Sequence, residues 1–152
     1  MSSAAPRVLV IHGPNLNLLG QREPGIYGSG TLAELDASLR ALAAELGAEV
    51  TIRQSNHEGE IIGWIHGAAG AQDGIIINPG GYTHTSVAIQ DALRAAPVPA
   101  IEVHLSNLYR REIQRHTSVT GVACAGVIMG LGPSSYLLAL RQLVADYKVR
   151  PS

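Results

Sequence analysis

The feature that most constrains this chain is an alternation. Five short apolar runs, residues 8–12, 49–53, 74–78, 100–104 and 122–127, are separated by longer stretches, most of them with helical period. Leu32, Leu35, Leu39, Leu42 and Leu46 recur at spacings of three and four, which puts one apolar stripe on a helix. Thr31 with Glu34 forms a capping box at its start, and Gly47 ends it. Ile61, Ile62 and Ile65 predict a second helix, and Val87 to Leu93 a third. Pro133 suits the first turn of a last helix carrying Leu137, Leu140, Leu143, Val144 and Tyr147. Parallel strands need crossover connections, so this order predicts a parallel sheet covered by helices on both faces.

Five strands suit the flavodoxin-like doubly wound order 2-1-3-4-5, in which ligands bind beyond the carboxyl ends of the strands, where the order reverses between strands 1 and 3. The 152 residues are expected to form one domain, 1–152, with about the first six and last three residues loose. Hydrophobic residues make up 46% and charged residues 15%, a balance that argues against disorder. A net charge of -1 gives no basic excess for nucleic acid, and the apolar runs are too short to span a bilayer. The first seven residues lack the apolar segment of a signal peptide. Cys124 is the only cysteine, so no internal disulfide can form; this favours a reducing, cytoplasmic setting. With no Phe, the core must be built from Leu, Ile, Val and Ala.

Polar groups gather where the doubly wound rule places a ligand. Strand 1 runs into His12, Gly13, Pro14, Asn15 and Asn17. Strand 3 ends at Asn78, followed by Pro79, Gly80, Gly81, Tyr82, Thr83 and His84. Strand 4 carries Glu102 and His104, then Ser106 and Asn107. Turn chemistry explains any one such strand end; three together point to a site. Glu102 and His104 lie two apart on a strand and face the same way. A carboxylate favours the proton-carrying form of an imidazole, which makes His104 a candidate general acid. The alternative is a buried histidine satisfied by its neighbour.

The loop after strand 1 is long for a βα connection and includes QREPGIYG at 21–28. Arg22 and Tyr27 are its side chains suited to acid–base chemistry. An arginine about 4 Å from a phenolate contributes roughly 4 kcal/mol at an effective dielectric near 20. That would bring a tyrosine pKa from about 10 towards 7, where it can act as a base. The alternative is an exposed tyrosine on a loop.

Other motifs fail. The GSGTLA run at 28–33 matches a dinucleotide fingerprint but lies well after the strand, and strand 2 ends in Arg53 and Gln54 with no acidic partner for a ribose. His57-Glu58 begins a zinc-protease pattern, but Ile61 stands where the second histidine belongs. The six histidines show no helical ligand spacing, so no metal site is expected. Cys124 is read as core packing within strand 5.

VIHGPNLNLLG at 10–20, REPGIYG at 22–28, QSNHEGE at 54–60, INPGGYTHTSVAIQD at 77–91, EVHLSN at 102–107 and GVIMGLGPSSYLLAL at 126–140 together resemble the type II 3-dehydroquinate dehydratases. The resemblance implies a lyase that removes water from 3-dehydroquinate by anti elimination through an enolate, with no cofactor and no metal. It assigns Tyr27 as the base, Arg22 as the group keeping it ionised, and Asn15 as holder of a water at the enolate oxygen. His104 becomes the acid, oriented by Glu102. Asn78 and the backbone amides of Leu105 and Ser106 would hold the substrate carboxylate; His84 and Arg115 would bind ring hydroxyls. Asp91 would reach a neighbouring subunit's site in a trimer, four trimers making a dodecamer. Lys148 is the only lysine, near the end, which agrees with a mechanism lacking a Schiff base. Gly81, Gln114 and residues 119–121 depart from the usual pattern. The resemblance leaves open whether the step serves aromatic biosynthesis or quinate breakdown. Two other readings are a flavodoxin-like module that binds a small molecule without chemistry, and a reductase resting on the glycine match. The Arg22, Tyr27 and His104 set discriminates against the first, and failure to bind NAD would remove the second.

Overall fold

The computed structural model describes residues 4–21, 25 and 30–150. Five parallel strands, β1 (Arg7–His12), β2 (Glu49–Gln54), β3 (Gly74–Asn78), β4 (Ala100–His104) and β5 (Gly126–Met129), form one sheet in the order β2-β1-β3-β4-β5. Among the described residues four helices connect or follow them: α1 (Leu32–Leu46), α2 (Glu58–Gly67), α3 (Val87–Ala95) and α4 (Ser134–Lys148). The doubly wound order expected from the alternation is the one observed.

Each strand turns successive side chains to opposite faces. Val8, Val10 and Ile76 pack with Leu35, Leu39 and Leu42 of α1 and with Leu140 and Leu143 of α4. Leu9, Ile11, Ile75 and Ile77 pack with Ile61 and Ile65 of α2 and Ile89 and Leu93 of α3. The central strands are buried on both sides, which is why they read as continuous apolar runs rather than alternating ones. Helix α1 begins as its sequence predicts: the Thr31 hydroxyl accepts from the Glu34 amide at 3.2 Å. It ends at Gly47, whose φ of 70° is a left-handed conformation that glycine adopts without a Cβ penalty.

Strand 5 required correction. Residues 121–123 wind into a 3-10 turn, and pairing begins only at Gly126, opposite Ile101. The apolar run from Val122 suggested a strand, yet Val122 is exposed. The turn instead serves a buried charge, because the preceding Ser118 and Thr120 donate to Glu102. Cys124 therefore lies after this turn and outside any strand, with its thiol near the Thr120 carbonyl at 3.7 Å. Burial, with the Glu102 charge adding to it, pushes that thiol's pKa up to about 12.

Residues 1–3 and 151–152, expected to be loose, and the loop residues Arg22 and Tyr27 lie outside the described residues. At the inner margins of those ends, Pro6 is buried and its carbonyl accepts from Glu49, while Arg150 stacks over Tyr147 at 5.1 Å. Among the described residues no helix is long and apolar enough to cross a membrane.

Candidate active site

The carboxyl ends of β1, β3 and β4 open on one cleft with about 700 Å³ of empty space, part of it continuous with solvent. It lies at the reversal of strand order between β1 and β3. Two glycines let the flanking loops meet there. A Cβ on Gly13 would sit 2.6 Å from the Pro79 carbonyl carbon, and Gly80, at φ +60°, would bring one 2.9 Å from the Pro14 oxygen.

The cleft collects most of the expected residues. Asn15, Asn78, His84, His104, Leu105, Ser106 and Arg115 all line it. Asn15 adopts a left-handed backbone with φ 71°, a conformation asparagine tolerates, and its amide donates to Asn56 at 3.0 Å. Asp91 stands exposed on α3 and does not line the cleft of its own chain. Lys148 is also remote: its amine donates to the Leu46 carbonyl at the end of α1.

Glu102 sits behind His104, fully buried. Its Oε2 lies 2.9 Å from His104 Nε2 and accepts from the Ser118 hydroxyl at 2.7 Å; its Oε1 accepts from Thr120. Burial alone would push this carboxyl up. The hydrogen bond and positive charge of His104, with the two hydroxyls, outweigh burial and hold it below the usual carboxylate value. An ionised carboxylate accepts only, so His104 Nε2 carries a proton, and its Nδ1 has no partner among the described residues. His84 is fixed similarly: its Nδ1 donates to the Thr117 carbonyl at 2.8 Å, leaving Nε2.

Residue-by-residue reading missed Arg111, which lines the cleft and whose guanidinium reaches the Ser106 hydroxyl at 3.4 Å. It lies between two 3-10 turns after β4, where no periodicity distinguishes it from Arg110. Leu16, Leu19 and Leu108 supply an apolar wall that was also not foreseen. The described lining thus holds two arginines and two histidines and no carboxylate. Among the described residues, no three His, Cys, Asp or Glu side chains group as a metal site.

Fold and cleft together define a doubly wound α/β protein that can receive a small anion beside an imidazole backed by a buried carboxylate. Residues 6–144 match the family model described as dehydroquinase class II. The chain is 58% identical over 142 residues to a 3-dehydroquinate dehydratase of Chelativorans, covering 93% of this chain and 98% of that one. It is 54% identical to a catabolic 3-dehydroquinase of Aspergillus oryzae, covering 94% of each. Its fold is similar to the crystal structure of the type II dehydroquinase from Propionibacterium acnes, with a TM-score of 0.91, 45% identity, and coverage of 95% of this chain and all of the other. The chain belongs to the class II dehydroquinase family.

Proposed function

We propose that this protein is a 3-dehydroquinate dehydratase, a hydro-lyase working through an enolate with no Schiff base. Its main support is the Glu102–His104 pair opening on a cleft with two arginines and no carboxylate in its described lining. The Tyr27 phenolate takes the proton from the carbon next to the ketone, and the electron pair moves onto the ketone oxygen as an enolate. A water on Asn15 stabilises that oxygen. The enolate then expels the hydroxyl on the next carbon, and His104 gives it a proton, so that water leaves and the enone forms. Overall one proton moves to Tyr27 and one leaves His104; solvent exchange restores both. Arg22 keeps Tyr27 ionised, and Glu102 stabilises the imidazolium before the proton leaves.

Arg115 and His84 bind ring hydroxyls; Asn78 and the amides of Leu105 and Ser106 hold the carboxylate. Arg111 and Arg115, which Glu112 approaches from outside the lining at 3.7 and 2.6 Å, flank such an anion. Asp91, exposed on α3, completes a neighbouring subunit's cleft in a trimer, and four trimers form the cytoplasmic dodecamer. Mixing the protein with 3-dehydroquinate and following the ultraviolet absorbance of the enone tests the reading. Wild type should produce a steady rise, and Tyr27→Phe almost none. Equal rates for the two proteins would defeat the assigned base, and no rise with wild type would defeat the activity.

A further inference from the structure

A second buried polar chain runs from the opposite face of the sheet to the cleft. His12 ends β1, Asn78 ends β3, and the two are partners in register. Both follow Val8, Val10 and Ile76 in pointing to the face covered by α1 and α4. His12 is fully buried, and both ring nitrogens are used: Nε2 lies 2.8 Å from Asp36 Oδ1, and Nδ1 lies 3.0 Å from the Tyr136 hydroxyl. The Asn78 side chain, on the same face as its register partner His12, acts on that hydroxyl as a hydrogen-bonding neighbour that lowers its pKa. Asn78 Oδ1 accepts from the Gly80 amide at 3.1 Å.

The direction of each bond follows from what each group can do. An Asp36 carboxylate only accepts, so His12 Nε2 is the donor. In the neutral ring Nδ1 must then accept, so Tyr136 donates to it. The Tyr136 oxygen is left to accept from the Asn78 Nδ2–H. From the other end, the Gly80 N–H only donates, so Asn78 Oδ1 must accept. Both ends demand the same amide orientation. One Nδ2–H is committed to Tyr136, and the second is available where Asn78 lines the cleft.

We infer that Asp36, His12 and Tyr136 are positioning residues that lock the Asn78 amide as a hydrogen-bond donor to the cleft, so that this corner selects a carboxylate oxygen over any group that must itself donate. This rests on the reading above, in which the site holds the carboxylate of 3-dehydroquinate.

Asp36 is the residue to change. It does not line the cleft, it lies partly exposed on α1, and alanine is the most favourable helix residue, so the fold is kept. Without the carboxylate, His12 is free to carry its proton on Nδ1. Tyr136 is then turned to donate towards Asn78, against the orientation imposed by Gly80. Asp36→Ala is expected to raise KM about tenfold with kcat within about twofold. Asp36→Asn, whose Oδ1 still accepts, should restore KM to near the wild-type value. Long-range proton–nitrogen spectra of His12 read the tautomer without substrate: Nε2–H in wild type and Asp36→Asn, with Nδ1–H appearing in Asp36→Ala. An Nδ1–H ring in wild type, or an unchanged KM in Asp36→Ala, would overturn the lock. If His12 carries Nε2–H as expected but wild type leaves 3-dehydroquinate untouched, the functional reading fails and the lock stands.

Discussion

Two carboxylate–imidazole pairs of nearly equal length sit on opposite faces of one sheet. Glu102 and His104 meet at 2.9 Å on β4, and Asp36 and His12 meet at 2.8 Å between α1 and β1. In the first pair the carboxylate is fully buried and gathers three donors, while the second ring nitrogen has no partner among the described residues. In the second pair the carboxylate is partly exposed and the imidazole fully buried, with its remaining nitrogen held by Tyr136. The same two kinds of group are thus proposed as a proton donor in one place and a tautomer lock in the other. The fate of the second nitrogen separates the roles: left open to the cleft it can exchange a proton with substrate, and closed by a phenol it can only transmit orientation.

The largest effect should come from removing the open ring. His104→Ala takes away the proposed general acid and is expected to cut kcat about 10²- to 10⁴-fold. Circular dichroism should show the fold retained, because the ring lies in neither apolar layer, while thermal melting should fall because buried Glu102 loses its ring partner. A variant retaining most of its turnover would remove the distinction between the two pairs.

The next effect tests the buried carboxylate. Glu102→Gln replaces two acceptor oxygens by one oxygen and one NH₂, so at least one of the donors from His104, Ser118 and Thr120 loses its partner. The cost is about 1–3 kcal/mol of stability, with turnover falling roughly ten- to a hundredfold. The pH dependence has a definite sign. Folding holds the Glu102 carboxyl below its ordinary 4.5. Its contribution to stability is therefore present above that value and is lost as pH falls through the lower folded value. Urea titrations at descending pH should show the gap between wild type and Glu102→Gln narrowing below about pH 4.5. A gap that stays constant would mean the carboxylate is not the stabilising form.

These pairs also mark what sequence can reveal. Glu102 and His104 were legible because they are two apart on one strand, and a strand's period of two puts them on one face. The strand order was legible because strands buried on both sides read as unbroken apolar runs. The second pair was hidden: Asp36 is 24 residues from His12, and Tyr136 is 124 residues from it. Tyr136 reads as one more apolar position of α4, and only the packing of α1 and α4 on the same face brings the three together. Strand 5 was misplaced for a related reason. The hydroxyls serving Glu102 come from the segment just before it, and a short apolar run cannot signal that its backbone is bent towards a distant charge. Arg111 escaped because the loop that carries it has no regular period.

The smallest effect on turnover, and the sharpest contrast with Glu102, belongs to Tyr136→Phe. Burial pushes the Tyr136 phenol well above its ordinary pKa; the hydrogen bond from Asn78 lowers it and the Asp36 charge raises it further. The hydroxyl therefore stays protonated at neutral and mildly alkaline pH, and what it contributes there is pairing rather than charge. Removing it leaves His12 Nδ1 without its donor and takes one acceptor from Asn78 in a fully buried place, while the ring still fills its space between the sheet and α1. Stability should fall by about 1–3 kcal/mol in urea denaturation, with kcat within about twofold of wild type. Because no titrating charge is lost, the deficit should stay flat across neutral and mildly alkaline pH, unlike the acid-sensitive deficit of Glu102→Gln. A deficit that varied steeply over that range would show that the phenol or His12 changes charge within the chain of hydrogen bonds, and the second pair would then be a proton carrier like the first.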